Sequence, residues 1–327
     1  MVASISIQEI DFNNANAVWD DIMSRTTETS IFQTFRWQKL WLEHFRQDAS
    51  LIVLQLEKEN SPIGIAPMMV SNKKLSFIGS TDVFDYRDFI GAHHLDLNDF
   101  DAIIERLKDW DWDEINLQSI PEDSPTYSIL PGLLESLGMA VVVKEEDVAP
   151  ISILQSDWDG YVSELPRKYR HELRRKIRRI ERSYDLVEQE IVSEDHSDED
   201  TDEFLELMKS SSSEKLEFLT PAREQFFREM VKLFSASGDL KMHFLKLDGN
   251  RVASCIAFDY GSKYLLYNSG FNPSYYSDSV GLINKAYCIR QAINDGRQTF
   301  DFLRGAERYK YDLGAENRSL FEIVARR

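Results

Sequence analysis

Residues 241–303 constrain the fold of this chain more than any other stretch. Three runs read as strands: Lys241 to Leu247, Arg251 to Tyr260 and Lys263 to Ser269. The first two are joined by Leu247-Asp248-Gly249-Asn250, a hairpin turn sequence. A helix from Ser279 to Asp295 follows and is stopped by Gly296. Thr299 to Leu303 reads as a further strand, before a short helical turn and a last strand from Leu320 to Val324.

The rest of the chain has the same grammar. Apolar residues at helical spacing (Trp37, Leu40, Trp41, Phe45) predict a helix over Phe35 to Phe45. Ser50 to Leu56 and Ile63 to Val70 read as a strand hairpin. Helices are expected over Asp101 to Trp110 and Tyr127 to Leu137, with strands at Ile115 to Gln118 and Met139 to Val143. Beyond Ala149-Pro150, helices are expected over Trp158 to Leu165, Pro166 to Tyr184, Asp202 to Lys215 and Pro221 to Ser235, with a strand at Leu186 to Val192. Two halves of similar order suggest tandem copies of one α/β (α+β) architecture, each a mixed central sheet flanked by helices. The expected division is 1–150 and 151–327.

A length of 327 residues suits two domains with real cores. Cys255 and Cys288 lie in apolar surroundings with no metal-ligand spacing, so they read as buried small hydrophobes and no metal is expected. The start of the chain has no basic leader and no window has the apolar run of a membrane span, so a cytoplasmic protein is expected. A net charge of −18 argues against DNA as a partner. One segment reverses that sign. From Arg167 to Arg182 the chain carries Arg167, Lys168, Arg170, Arg174, Arg175, Lys176, Arg178, Arg179 and Arg182, opposed by Glu172 and Glu181. Its apolar residues Tyr169, Leu173, Ile177, Ile180 and Tyr184 fall on one helical face, so the charges line the remainder. An acidic block from Glu194 to Glu203 follows.

The stretch from Phe300 to Gly314 (FDFLRGAERYKYDLG) resembles the closing motif of the Fem-like acyltransferases of the GNAT group. This group includes proteins associated with cellulose and exopolysaccharide synthesis, and the Fem peptidyltransferases that use aminoacyl-tRNA. Leu165 to Arg170 with Arg174-Arg175 is similar to the basic helix that opens the second domain there. Phe32-Gln33-Thr34 before Trp37 and Trp41 is similar to its N-terminal helix. The resemblance implies tandem GNAT-like domains and transfer of an acyl group, favouring acetyl, from acyl-CoA as co-substrate with no tightly bound cofactor. The acceptor it implies is an amine or hydroxyl of a small molecule, sugar or cell-envelope glycan precursor. Aminoacyl-tRNA is the alternative donor, and a GNAT-shaped binding protein without turnover the alternative outside catalysis. The chain departs from the coenzyme A signature, because Tyr276 to Gly281 retains only the last glycine.

Acyl transfer needs a base, a positioned carbonyl and an oxyanion donor. The strand Tyr264 to Ser269 is the candidate wall of the acyl site, with Ser269 at its end. The helix start at Ser279, Val280 and Gly281 is the candidate phosphate site, through free N–H groups and the helix dipole. Asp301 and Glu307 are candidate general bases, and Tyr267 and Tyr309 candidate proton donors to the leaving thiolate. Arg170, Arg174 and Lys310 are candidate substrate-binding cations.

Overall fold

Buried apolar runs such as Ile52–Leu56 and Val252–Phe258 have too little polar surface for an exposed sheet, and each becomes the middle of a strand covered on both faces. In the computed structural model, which describes residues 5–26 and 29–327, they belong to two separate sheets. The first half contains β1 (Ile5–Glu9), α1 (Asn16–Arg25), α2 (Phe35–Phe45), β2 (Ser50–Lys58), β3 (Ser61–Ser71), β4 (Lys74–Phe77), α3 (Leu97–Leu107), β5 (Glu114–Pro121), α4 (Pro125–Ser136) and β6 (Ala140–Val148). The second contains β7 (Ile151–Ile153), α5 (Trp158–Glu164), α6 (Arg167–Ser183), β8 (Val187–Val192), α7 (Asp198–Ser211), α8 (Ser213–Phe218), α9 (Pro221–Ser235), β9 (Leu240–Leu247), β10 (Asn250–Tyr260), β11 (Lys263–Phe271), α10 (Val280–Asn294), β12 (Thr299–Asp301) and α11 (Arg308–Asp312). The chain closes with β13 (Ser319–Arg326).

Two units result: residues 1–148 with 318–327, and residues 149–317. The first sheet has the order β1-β2-β3-β4-β5-β13-β6, the second β7-β12-β11-β10-β9-β8. In each, an antiparallel meander is followed by a helix and a strand parallel to the meander's last member, β5 on β4 and β12 on β11. The fold is therefore a tandem of mixed sheets flanked by helices. The terminal strand departs from the sequence reading. It pairs with β5 and β6 in the first sheet, Ile323 opposite Leu117 and Val143, and not with the half that precedes it. The corresponding edge of the second sheet is taken by β7, which pairs with β12. Periodicity records that a strand is half-buried; it carries no record of its neighbours.

Other differences have local causes. β1, α1, β4 and β7 are not anticipated by the sequence reading; β4 and β7 are too short to show a period. The helix expected over 202–215 is two helices. Ser212 is extended (φ −164°), ends α7 and caps α8 by accepting from the Lys215 N–H. The strand expected through Leu303 ends at Asp301, because Leu303 turns into the left-handed region (φ 58°).

The first unit's core joins β2–β5 and β13 to α3 and α4, through residues such as Ile52, Leu54, Phe77, Phe100, Trp112, Leu117 and Ile323. The second unit's core sits between its sheet and α5, α6 and α10, around Tyr161, Leu173, Cys255, Tyr264, Cys288, Ile289 and Phe300. Both cysteines are free and buried. Among the described residues no helix is long and apolar enough to cross a membrane.

Candidate active site

The parallel pair β11–β12 is short. It is in register only over Lys263–Leu265 with Thr299–Asp301, and β11 then runs on alone to Phe271. On that side Leu266–Phe271 have no strand partner among the described residues. A β-bulge falls at the point of divergence: Ala257 pairs with Leu266 and Ile256 with Asn268, so Tyr267 is the extra residue. The bulge bends β11 away from β12 and opens a splay between them.

Ser269 turns both its backbone groups toward this splay. Its N–H donates to the Asn268 Oδ1 (2.9 Å), and its carbonyl accepts from the Lys215 ammonium. Two side chains thus occupy positions on the strand edge that a neighbouring strand would otherwise fill. α7 crosses β11 one residue later. A Cβ on Gly270 would lie 2.3 Å from the Leu207 carbonyl carbon and the Met208 nitrogen, so only glycine admits the helix there. That contact fixes α8, and Lys215 with it, beside the splay.

Among the described residues the first unit has no such opening. β4 ends at Phe77, and residues 78–91 fold back across the ends of β4 and β5. Arg87 donates to the carbonyl of Gly79 (3.0 Å) and to Gln118 (3.1 Å), its N–H donates to Ser119, and Val83, Phe84, Tyr86 and Phe89 are buried around it. Within that segment Asp88 accepts from Ser124, Thr126 and the Phe89 N–H; burial still pushes its carboxyl up to about 6.

The structure separates the sequence-predicted residues. Glu307 and Tyr309 lie with Lys285 and Lys215. The Lys285 Nζ is 4.7 Å from the Tyr309 ring centroid, burial and then the Glu307 charge hold the Tyr309 phenol well above its ordinary range, and Lys215 feels the Lys285 and Glu307 charges. Asp301 is buried at the end of β12, where it accepts from the Leu303 N–H (2.8 Å) and holds the turn. Tyr267 packs on Phe227 and Phe258 under α9, on the opposite face of the sheet from Cys255 and α10. Lys310 is 1% exposed. Its ammonium donates to the carbonyls of Leu303, Arg304 and Gly305 and pairs with Glu307 at 2.9 Å. Every proton of that ammonium has an acceptor within the chain, so it serves the 303–307 loop.

At the helix start, Ser279 is left-handed (φ 59°) and its side chain caps nothing. A 3-10 turn over Pro273–Asp278 runs into α10. Asp278 faces away from the helix start, accepting from Arg179 (3.0 Å) and Tyr184 (2.9 Å). Position 281 is less open than its glycine suggests, since a Cβ there would lie 3.2 Å from the Phe271 ring. Beside this turn, α6 presents a cavity of about 410 Å³ lined by Arg175, Arg178, Arg179, Arg182 and Ser183. Arg174 lines a second, of about 340 Å³, with Trp158, Leu173, Ile177 and Arg178. Arg170 instead donates to the Ser163 carbonyl.

A splayed parallel pair, a bulged strand and a helix start in this order can be set beside known proteins. Residues 167–311 match the model of the acetyltransferase (GNAT) domain. Among curated proteins, none matches the chain. Solved structures share the fold across both units. FemX superposes with a TM-score of 0.68 at 12% identity, covering 97% of this chain and 96% of its own. A conserved protein of unknown function from Bacteroides thetaiotaomicron gives 0.62 at 13% identity, with 99% and 100% covered. The C-terminal domain of a protein described as a lysylphosphatidylglycerol synthetase, from Agrobacterium fabrum, gives 0.60 at 10% identity, with 96% and 92% covered.

Two site residues were missed by the sequence reading, Lys215 and Lys285. Lys215 falls just after a serine run that reads as loop or helix end. Lys285 lies in a largely apolar helix (VGLINKAYCIRQAIN), and a lysine at a core position was the available signal.

Proposed function

We propose that this chain is an acyltransferase whose second unit takes an acyl group from a coenzyme A thioester in the splay between β11 and β12. The observation that carries this reading is the edge of β11 beyond its register with β12, where the Ser269 N–H and carbonyl are held by side chains that a ligand amide can displace. A thioester arm needs such an edge for its own amides. Its carbonyl then lies by the bulge in β11, where the strand edge can face the developing oxyanion. The arginines of α6, lying beside the turn into α10, suit the phosphates of the donor.

Glu307 is the carboxylate placed to relay a proton from the acceptor, through water, and Tyr309 the phenol placed to return one to the thiolate. The acceptor is an amine or hydroxyl of a small molecule, a sugar or a cell-envelope precursor, which would place the chain in glycan or polysaccharide synthesis. A second reading, an aminoacyl-tRNA donor, draws on the same arginine groove and on the fold shared with FemX. Acetyl-CoA and longer acyl-CoAs should raise the melting temperature of the purified protein at millimolar concentration. No shift with any thioester, alongside binding of aminoacyl-tRNA, would replace the first reading by the second.

A further inference from the structure

Several buried or half-buried cations of the second unit have a carboxylate partner. Lys310 pairs with Glu307, Lys241 with Asp259 and Asp295, Lys209 with Glu206 and Glu224, Arg297 with Asp259, and Arg251 with Glu190, Asp200 and Glu203. A charge withdrawn from water is tolerated when a counter-charge is withdrawn with it. Lys215 and Lys285 have none. Among the described residues Lys215 donates to the Ser269 carbonyl, and Lys285 to the Gly281 carbonyl (3.3 Å) while lying over the Tyr309 ring. Lys285 is 8% exposed. The two come from separate elements, α8 and α10, and converge on Cys255 of β10, where each exerts its charge. The carboxylate that faces them, Glu307, is bonded to Lys310. Burial and then the Lys285 charge hold Lys215 down to about 8, against the Cys255 and Glu307 charges that raise it.

We infer that Lys215 and Lys285 form a recognition site for a carboxylate carried by one of the two substrates, seated at the floor of the β11–β12 splay. A carboxylate matches the site better than a phosphate. It presents two oxygens to two ammonium groups and brings one negative charge, whereas a phosphate dianion calls for the denser donor set that α6 supplies. Taken with the acyl-CoA reading, the carboxylate has two possible sources. It is the distal carboxylate of a dicarboxylic acyl donor, or the carboxylate of an amino-acid-like acceptor. For the second, the same cations would lower the pKa of the incoming ammonium and favour the neutral nucleophile.

The test uses the whole chain with succinate as probe, succinamide as its neutral counterpart and chloride at matched ionic strength. Succinate should raise the wild-type melting temperature saturably and the two controls should not. Lys285→Met should remove the shift and Lys215→Met should weaken succinate binding at least tenfold; Lys285→Arg, which keeps the charge, should retain it. The affinity should fall as pH rises through about 8, where Lys215 loses its proton among Lys285, Cys255 and Glu307. Succinyl-CoA binding at least tenfold tighter than acetyl-CoA assigns the carboxylate to the donor. Equal thioester binding, with a further shift from an amino acid on the acetyl-CoA complex, assigns it to the acceptor. Succinate binding, with no binding of any thioester, would sink the coenzyme A reading and leave this site standing. A wild-type response to succinate no larger than that to chloride overturns the site itself.

Discussion

Lys310 and Glu307 form a 2.9 Å ion pair inside a loop whose three carbonyls, at Leu303, Arg304 and Gly305, also accept from the same ammonium. Lys310→Met would leave those carbonyls without their donor, the Leu303 carbonyl in a buried setting. The unfolding free energy, from urea titration, should fall by about 2–4 kcal/mol. Loss of turnover with unchanged stability would instead return Lys310 to the ligand-binding role that the sequence suggested.

The order of elements was legible because long, periodic segments carry it. The 17-residue basic helix α6 has its Leu173 and Ile180 buried as the spacing requires. Partnership was not legible. Nothing in Ser319–Arg326 distinguishes a strand that closes the second sheet from one that enters the first, since both need the same alternation. Of the candidate site, the surrounding elements were legible: a strand end, a helix start and a terminal motif. The roles of individual residues were not. Asp301, Lys310 and Asp278 are the ionisable types that chemistry uses, and the structure shows them holding a turn, a loop and a helix–turn contact. Lys215 and Lys285 stand out only after burial and partners are known.

His243 is fully buried between Gln189 and Tyr264. The Gln189 amide donates to Nδ1 (3.0 Å), which assigns the proton to Nε2 and the bond from it to the Tyr264 oxygen. Burial, with the Lys241 charge adding to it, holds the imidazole down to about 3 against an ordinary 6.5. Between those values the unfolded chain binds a proton that the folded one refuses, so stability rises with pH across that window and falls on acidification. At pH 4.5 this one residue should cost about 2–3 kcal/mol relative to pH 7. The His243 ring signals in NMR should not titrate between pH 7 and 4.5 while the protein stays folded. A midpoint near 6 would contradict the buried neutral ring.

Gly270 and Gly281 should respond differently to alanine. At 270 the new Cβ meets helix backbone at 2.3 Å, which cannot move without displacing α7. A loss of about 1–3 kcal/mol is expected, with α8 and Lys215 shifting too. At 281 the contact is the Phe271 ring at 3.2 Å, a side chain able to give by a few tenths of an ångström. Thermal melts should show a clear drop for Gly270→Ala and little for Gly281→Ala. Equal drops would mean that α7 does not rest on β11 as described.

The arginine groove offers the last test of where the donor's phosphates sit. Its four arginines are not equivalent. Arg175 is bonded to Glu172 and Arg179 to Asp278, whereas Arg178 donates to the Arg174 carbonyl and neither it nor Arg182 has a carboxylate partner among the described residues. The free charges on this face are thus Arg178 and Arg182, and they lie on a chain whose net charge of −18 otherwise repels polyanions. Reversing both, Arg178→Glu with Arg182→Glu, should weaken acyl-CoA binding by on the order of tenfold at low salt without changing the melting temperature of the free protein. Because the site is open to solvent, the wild-type affinity should itself fall with added salt, and the gap between wild type and variant should narrow in about 0.5 M KCl, where the screening length is shorter than the groove. A short thiol analogue of the pantetheine arm, lacking the phosphates, should bind both proteins alike. If the variant loses that analogue as well, the arginines act on the splay and not on the phosphates. If it binds acyl-CoA as the wild type does, the groove serves another polyanion, and the aminoacyl-tRNA donor becomes the reading to test next.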